Sequence, residues 1–514
     1  MIEFQLKLLV DPRNPSELKH ALKKIGAEVV SEPLPFTDIY YDSPDLKLRQ
    51  QGLSLSVREQ GELRVQVLKS LGSAAEGGST DECRDPITTE QPDPLAPETG
   101  PRLRSIANGH LHPLFKTQVR RTLFHLNAAS SAEIAGALDE GEICAIDGDD
   151  TQRVCELGLE LKRGDKAALY DLALQLLHTT PLRIATQNQS ERGYRLSGVT
   201  AKALTAKPPA VESSMTVEAF LLNAGREGLA QLLRNEPAAM AGEAEGFHQM
   251  RVALRRLRSV LSAVRSMLPP EQYQWLREEL KWLTGSLGPA RNWDVFTTEL
   301  VAPTRSVLVE HVNPAQLAVA AETRRQAAYR AAKDAIETQR YAESILKLAR
   351  WFESRGWRDQ RTSEHSAPLF ASIADLAPSL IERHWRKARK RSRHFGKLSQ
   401  EERHHVRISL KKLRYTVEFL GGLFDADAVS GLLKPVKKLQ EDLGRLNDIR
   451  TAQNLIKEIT FSGTEDTGEI SQYAGMILGW HIRGLWDAES TLDKDIRRFR
   501  KVKPFWRPVL HTLA

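Results

Sequence analysis

The sequence has few cysteines and no long apolar segment. Its three cysteines, Cys83, Cys144 and Cys155, are odd in number and lack the spacing of a zinc site, which excludes a disulfide framework and a cysteine-based metal centre. No run of about 18 apolar residues occurs, so no membrane-spanning helix is predicted. The first residues are charged and are not typical of a signal peptide. We therefore expect a cytoplasmic protein that does not enter the membrane.

Several motifs of common enzymes and nucleic-acid-binding proteins are also absent. The chain has no nucleophile elbow, no glycine-rich phosphate loop and no cluster of histidine and cysteine with metal-ligand spacing. It has no helix-turn-helix signature and no aromatic-rich RNA motif. These absences do not favour nucleic acid as the ligand.

The two parts of the chain differ strongly in charge. At 514 residues the chain exceeds a single hydrophobic core, so two or three domains are expected. Residues 1–200 carry 23 Lys and Arg against 29 Asp and Glu, a net charge of −6, whereas residues 201–514 carry 50 against 37, a net charge of +13. A basic part of this size favours a polyanion as its partner.

The hydrophobic periodicity also changes along the chain. Residues 1–200 alternate apolar and polar side chains, with two helical interruptions, and predict an α+β domain with an antiparallel sheet. Residues 70–101, rich in Gly, Ser and Pro, are predicted to be a loop. Residues 201–214 are predicted to be a linker, and residues 215–514, with a period near 3.6, an all-α domain of two repeated helical bundles.

An internal repeat runs through the helical part. A basic pattern recurs at a constant shift of 156 residues, and the same shift relates Leu287-Gly288 to Leu443-Gly444 and Asn292 to Asp448. Such a constant shift indicates duplicated halves related by pseudo-two-fold symmetry. The basic positions are His248, Arg251, Arg255 and Arg258 in the first copy, and His404, Arg407, Lys411 and Arg414 in the second.

Each basic set lies on one helical face. At about 100° per residue the four cations share one stripe, while leucines such as Leu254 and Leu410 occupy a separate, core-facing arc. Like charges at this spacing repel by a few tenths of a kcal/mol per pair, and a phosphate-bearing anion would offset that cost. The alternatives are a solvated basic face with intramolecular carboxylate partners, and a scaffold that docks nucleic acid or acidic proteins.

The helical part resembles the CHAD domain. The resemblance rests on residues 248–261, 280–283, 287–294 and 404–420. It implies two four-helix halves around a basic channel that binds inorganic polyphosphate. The residues carried over by position are His248, Arg251, Arg255, Arg258, Lys281, His404, Arg407, Lys411, Arg414 and Lys437.

The first part resembles the CYTH family of triphosphate tunnel metalloenzymes, so the chain as a whole is similar to bacterial CYTH-CHAD proteins of the inorganic triphosphatase type. The matching segments are residues 3–7, 40–45, 52–58, 66–69, 137–141, 156–164 and 191–194. The resemblance implies a closed antiparallel tunnel barrel. In it, inward carboxylates hold Mg²⁺ or Mn²⁺ and inward cations hold a triphosphate.

The resemblance assigns roles to individual residues, but several positions depart from the family pattern. Gln5, Ser56, Gly158 and Gln189 stand where the family has two metal ligands and two phosphate-binding cations. The implied catalytic residues are Glu3, Lys7, Glu156 and Glu160, the implied metal ligands are Glu3, Asp139, Glu156 and Glu160, and the implied substrate-binding residues are Arg58, Lys69, Arg121 and Arg192.

Two functions follow from these patterns. The first is binding of inorganic polyphosphate by the helical domain, which would place the protein on polyphosphate granules. The second is metal-dependent hydrolysis of triphosphate by the barrel. Because four motif positions are changed, a barrel that binds phosphate chains without cleaving them is an equal alternative.

Overall fold

A computed structural model of the chain describes residues 4–13, 15–71, 82–107, 110–127, 132–308, 315–359, 363–461 and 467–507. The chain forms two compact units. The first comprises Met1–Leu204, Leu229–Gly246 and Ile336–Gly356, and the second comprises Thr205–Gly228, Phe247–Ala335 and Trp357–Ala514. The domain boundaries predicted above stay a prediction.

The amino-terminal part is an antiparallel sheet with flanking helices, as the alternating pattern predicts. Its strands are β1 (Phe4–Val10), β2 (Glu28–Val29), β3 (Leu34–Asp42), β4 (Leu53–Gln60), β5 (Leu63–Ser70), β6 (Glu82–Pro86), β7 (His112–Asn127), β8 (Glu133–Ala145), β9 (Thr151–Arg163) and β10 (Leu182–Ile184). They are hydrogen-bonded in the order β10-β1-β9-β8-β7-β3-β4-β5-β6, and β2 pairs with β7. Its helices are α1 (Pro15–Lys24), α2 (Lys47–Gln50), α3 (Gly100–Ala107), α4 (Ala167–Leu177) and α5 (Gln189–Leu196).

The loop predicted over residues 70–101 is partly wrong. Strand β6 lies inside it and pairs with β5, with Lys69 opposite Glu82. A five-residue strand bounded by turn-forming residues carries too few alternating apolar positions for periodicity to reveal it. Residues 72–81 of that segment lie outside the described part of the chain.

The carboxy-terminal part is built mainly from helices, as predicted. The helices are α6 (Val217–Ala241), α7 (Ala244–Ala263), α8 (Pro270–Ser286), α9 (Gly288–Asp294), α10 (Ala302–Leu308), α11 (Ala315–Glu337), α12 (Gln339–Glu353), α13 (Ile373–Arg391), α14 (Gln400–Leu420), α15 (Ala426–Phe461) and α16 (Thr467–Lys501). A π-helical turn over Val295–Val301 joins α9 to α10. None of the described helices is both long enough and apolar enough to cross a membrane.

The repeat found in the sequence is visible in the helix boundaries. Helices α6, α7 and α8 begin 156 residues before α13, α14 and α15. The equivalent segments also meet each other: the Val217 amide donates to the Ala371 carbonyl at 3.0 Å, and the Ile373 amide donates to the Met215 carbonyl at 2.9 Å. Two hydrogen bonds that exchange under the same shift are what a local two-fold axis produces, so the predicted pseudo-symmetry is confirmed at this point.

The apolar arcs of the two basic helices are buried, which confirms their predicted direction. Leu254 and Leu257 of α7, and Leu410 and Leu413 of α14, are at most 2% exposed. Burial of such side chains contributes about 1.5–3 kcal/mol each. It fixes the rotation of both helices and therefore the direction of their cations.

A pair of glycines in adjacent strands tests the sheet packing. A Cβ on Gly141 would lie 1.9 Å from the Gln118 carbonyl oxygen, whereas a Cβ on Gly158 meets only the Ala137 carbonyl oxygen, at 3.8 Å. We expect Gly141→Ala to lower the free energy of unfolding by about 1–3 kcal/mol. We expect Gly158→Ala to be neutral or slightly stabilising. Urea denaturation of both variants measures the difference, and equal effects would contradict the packing described.

Candidate functional site

The two basic stripes converge on one cavity in the second unit. The cavity has a volume of about 220 Å³. Its lining side chains are His248, Arg251 and Arg255 from α7, Arg407 and Lys411 from α14, and residues of α9 and α15 that include Arg291, Asn292, Asn447 and Asp448. Cations that lie more than 150 positions apart in the sequence therefore share one space.

A larger cavity adjoins the first. It has a volume of about 860 Å³ and shares Glu299, Arg407, Asn447 and Asp448 with the smaller one. The larger cavity adds further basic side chains, among them Arg403, His404, Arg445, Arg450 and Arg483. Together the two cavities form a continuous basic recess.

The cations of the smaller cavity are crowded and incompletely satisfied. In the described part of the chain, Arg251, Arg255, Arg407 and Lys411 have no carboxylate within ion-pair distance. The buried Nε atoms of Arg255 and Arg407 have no hydrogen-bond acceptor. A buried donor without an acceptor costs about 1–3 kcal/mol. The arrangement therefore raises the free energy of the folded protein, and a bound anion would lower it again by supplying acceptors.

The crowding changes the proton affinities of these groups. Burial, together with Arg255 and Arg291, lowers the pKa of Arg251 to about 10. Burial, followed by Arg407 and Arg255, lowers the pKa of Lys411 to about 7. Asp448 opposes that shift at Lys411, but burial raises its own pKa. The recess therefore lacks enough negative charge to balance its cations.

Four of the predicted polyphosphate-binding residues do not line either cavity in the described structure. Arg258 and Arg414 each lie seven residues beyond Arg251 and Arg407, about 10 Å further along their helices. Arg414 donates to Glu418 at 3.1 Å, and the other two, Lys281 and Lys437, lie on α8 and α15. Lys437 also pairs with Glu418, at 3.5 Å. Arg258 and Arg414 were predicted from the helical stripes, and Lys281 and Lys437 from the repeat shift, but none of the four lines a cavity described above.

The first unit gathers three of its four predicted substrate-binding cations, Arg58, Lys69 and Arg121, on one face of the sheet, together with Lys7. The guanidinium groups of Arg58 and Arg121 lie over the Phe36 ring, at 4.4 and 5.1 Å from its centroid. Burial lowers the pKa of Lys69 against the opposing effect of Glu82, and nearby Arg58 and Lys7 lower it further. The four cations Lys7, Arg58, Lys69 and Arg121 therefore lie close together.

Most of these cations already have carboxylate partners. Two guanidinium nitrogens of Arg58 donate to Asp38 at 2.8 Å each, and two of Arg121 donate to Asp139 at 2.7 Å each. Lys69 pairs with Glu82 at 2.8 Å. Lys7, which lies opposite Gly158 in the sheet register, has no ion-pair partner among the described residues.

The predicted metal ligands are also occupied by the protein itself. The Gln189 side-chain amide donates to Asp139 at 3.2 Å and to Glu156 at 3.0 Å. Arg192 donates to the other oxygen of Glu156 at 2.5 Å. A divalent cation prefers oxygen ligands that are not engaged with guanidinium or amide donors.

The remaining acidic residues do not complete a metal site. Glu160 pairs with Lys162, and Glu3 lies outside the described residues. Within the described ranges, no group of three or more acidic, histidine or cysteine side chains is arranged to hold a metal. As placed, these side chains do not fit a divalent ion, and the choice between Mg²⁺ and Mn²⁺ stays a prediction.

Comparison with protein families agrees with both resemblances. The model described as "CYTH domain" matches residues 1–194, and the model described as "CHAD domain" matches residues 223–457. The chain carries a CYTH domain followed by a CHAD domain.

Individual relatives match parts of the chain. An inorganic triphosphatase of Haemophilus influenzae is 29% identical over 196 residues, which are 38% of this chain and 54% of the relative. An uncharacterized protein of Mycobacterium tuberculosis is 28% identical over 288 residues, 53% of each chain. The chain thus spans about half the length of these curated relatives. The crystal structure of the CHAD domain from Ricinus communis matches with a TM-score of 0.47 and 23% identity, covering 60% of this chain and 97% of that one.

Sequence reasoning missed one residue of the CYTH domain, Asp38, and the bridging role of another, Gln189. Asp38 is 2% exposed and holds Arg58, and Gln189 bridges two carboxylates instead of only replacing a cation. Asp38 carries a usable signal, because an acidic residue in the middle of a largely apolar strand requires a partner if it is buried. The role of Gln189 depends on the approach of α5 to β8 and β9, which the sequence does not reveal.

The ion pair between Arg192 and Glu156 provides a test of this network. Both side chains are at most 9% exposed, so Arg192→Met would leave a buried carboxylate without its cation. We expect a loss of about 3 kcal/mol in the free energy of unfolding. Adding Glu156→Gln should recover part of it, whereas Arg153→Met, an exposed control in β9, should have little effect. An additive double mutant would contradict the pairing.

Proposed function

We propose that the CHAD domain binds inorganic polyphosphate in the recess between its two repeats. The observation that carries the proposal is the convergence of Arg251, Arg255, Arg407 and Lys411 on one cavity with no carboxylate within ion-pair distance in the described structure. Guanidinium groups match phosphate oxygens with paired hydrogen bonds. A phosphate chain would supply acceptors to the buried Nε atoms and negative charge to the whole recess.

The shape and charge of the recess favour an unbranched phosphate chain over the alternatives. A cavity of about 220 Å³ excludes a nucleic-acid duplex, which would reach these cations only from outside. A neutralised basic face is not favoured here. Of the two acidic side chains in the smaller cavity, Glu299 pairs with Arg291 at 2.9 Å, and Asp448 is not within ion-pair distance of Arg407 or Lys411 in the described structure. A linear polyanion also gains free energy by releasing its counterions.

We propose that the CYTH domain also binds a phosphate chain. Its cations Arg58, Lys69 and Arg121 are gathered as in a triphosphate site but are held by carboxylates, and a bound chain would have to displace them. Hydrolysis of triphosphate by Glu3, Lys7, Glu156 and Glu160 stays a prediction. Location on polyphosphate granules would follow from binding by the CHAD domain and belongs to the same proposal.

Charge reversal in the recess is the direct test. We expect the double variant Arg255→Glu, Lys411→Glu of the full chain to lose polyphosphate binding, because each change replaces an attraction to phosphate with a repulsion. Titration across several salt concentrations should also show a flatter salt dependence, since each neutralised phosphate contributes a slope of about 0.7 for a single-stranded chain.

The matched control for that test is Arg277→Glu, Lys434→Glu, which makes the same charge change at two exposed positions on α8 and α15. Unchanged affinity in the recess variant, or equal losses in both variants, would remove the proposal. Duplex DNA at the same salt concentrations should not compete with polyphosphate for the wild-type protein.

The titration of Lys411 predicts a pH dependence. Its pKa in the folded protein, about 7, lies below that of the unfolded chain, so the charged form destabilises the fold at and below neutral pH, and this cost disappears as pH rises towards 10.5. We expect Lys411→Met to raise unfolding stability at pH 7, on the order of 2 kcal/mol after allowance for solvent screening, while weakening polyphosphate binding.

The same titration sets the pH dependence of binding. Above pH 7 the wild-type protein must take up a proton at Lys411 when a phosphate chain binds, so its affinity should fall as pH rises. Lys411→Met should lack this fall, and Lys434→Met should retain it. Thermal unfolding and binding measured from pH 6 to pH 9 check both points, and a variant that loses stability together with binding would contradict the account.

A further inference from the structure

A second group of cations surrounds Lys412 and lies apart from the recess. Lys412 follows Lys411 directly, so its side chain leaves α14 about 100° away around the helix axis. The Lys412 ammonium lies 3.3 Å from the Ser262 hydroxyl of α7. Burial lowers the pKa of Lys412, and Lys387, Arg391, Arg258 and Arg265 lower it further. Cations from three helices and the turn after α7 therefore meet here.

Helix α13 contributes a line of cations to this group. Arg383, Lys387 and Arg391 are spaced by four residues, so they follow one helix face over about 12 Å. The outer two are held in place: Arg383 donates to the Ala263 carbonyl of α7, and Arg391 donates to the Ser409 hydroxyl of α14 at 3.0 Å. The positive charge is thus arranged along a line rather than around a point.

The internal repeat shows what this group lacks. The shift of 156 residues relates Lys412 to Arg256 and Ser262 to Glu418. Glu418 supplies the negative charge on its side, since it pairs with Arg414 and opposes the fall in the pKa of Arg256 that burial causes. The uncharged Ser262 occupies the equivalent place beside Lys412. This copy therefore has cations without a carboxylate at a place where the other copy has both.

The line on α13 is also peculiar to the second repeat. The same shift places Glu227, Gln231 and Asn235 at the positions of Arg383, Lys387 and Arg391. In the first repeat Gln231 and Asn235 donate to a backbone carbonyl of the chain itself. In the second repeat the same three positions are basic. Arg383 and Arg391 also donate to the chain itself, but their positive charge has no acidic partner among the described residues and suits an external anionic ligand.

These cations have no acidic partner within the described ranges. Arg258, Arg265, Arg383, Lys387, Arg391 and Lys412 make no ion pair there. Solvation alone accounts for isolated surface cations, but it does not account for an ammonium that is partly buried among four others. Holding Lys412 in this position raises the free energy of the folded protein unless an anion is bound.

We propose that the group around Lys412 is a second anion site, separate from the recess, that binds a further stretch of an unbranched phosphate chain. This inference rests on the proposed function of the CHAD domain and extends it: chains that fill only the recess would not reach the second site, whereas longer chains would contact both. Contact at two sites joined by one polymer raises affinity without any new binding element.

The experiment compares short and long polyphosphate on the full chain. The triple variant Arg258→Gln, Arg265→Gln, Lys387→Gln removes three exposed cations and leaves the contacts of Lys412, Arg383 and Arg391 intact. We expect at least a tenfold loss of affinity for long chains, a salt slope lower by about 2, and less than a twofold change for chains short enough to occupy the recess alone.

A second variant tests the site without removing a cation. Ser262→Glu introduces the carboxylate that the other repeat has at Glu418, and it should weaken long-chain binding to a similar degree. The control for the triple variant is Arg277→Gln, Arg330→Gln, Lys434→Gln, three cations on α8, α11 and α15 away from both sites.

The outcomes separate this inference from the proposed function. The second site is supported if the wild-type protein binds both long and short chains and the triple variant loses affinity for the long chains only. Equal losses in the triple variant and its control, or an equal loss for short chains, overturn it while leaving the recess standing. If the wild-type protein binds neither length, the proposed function itself fails. Should Ser262→Glu not fold, the triple variant decides.

Discussion

Repulsion between cations that face each other across the two repeats is the constraint on which the CHAD domain depends. Arg255 and Lys411 lie on different helices, yet both line the same cavity, and Arg255 contributes to the lowered pKa of Lys411. The apolar arcs of α7 and α14 prevent these helices from turning away, because Leu254 and Leu410 are fully buried. Core packing thus maintains a charge distribution that electrostatics alone would disperse.

In the CYTH domain, unlike the CHAD domain, most of the clustered cations are neutralised by carboxylates. It also gathers basic side chains on one face, but Asp38, Asp139 and Glu82 lie directly against Arg58, Arg121 and Lys69. Gln189 and Arg192 then satisfy the acidic groups that remain. The CYTH domain therefore holds its cations in a network of ion pairs, whereas the CHAD domain leaves the cations of the recess without carboxylate partners among the described residues.

Much of this arrangement could be predicted from the sequence, because the repeat shift and the helical period are both linear properties of a chain. They gave the pseudo-symmetry, the buried leucine arcs and the convergence of Arg251 with Arg407. Periodicity describes the angle around a helix but not the extent of a cavity along it. It therefore also predicted Arg258 and Arg414, which lie three residues beyond the lining residues Arg255 and Lys411. Strand β6 and the bridge made by Gln189 depend on tertiary approach, which a pattern along the chain does not encode.

The local two-fold relation has a consequence for the two halves of the recess. If the two copies were identical at the cavity, both halves would attract an anion equally. The copies have diverged there, with Arg255 against Lys411 and Asn292 against Asp448. The half that carries Arg255 and Asn292 is therefore the more positive of the two, so an anion too short to span both halves would favour that side.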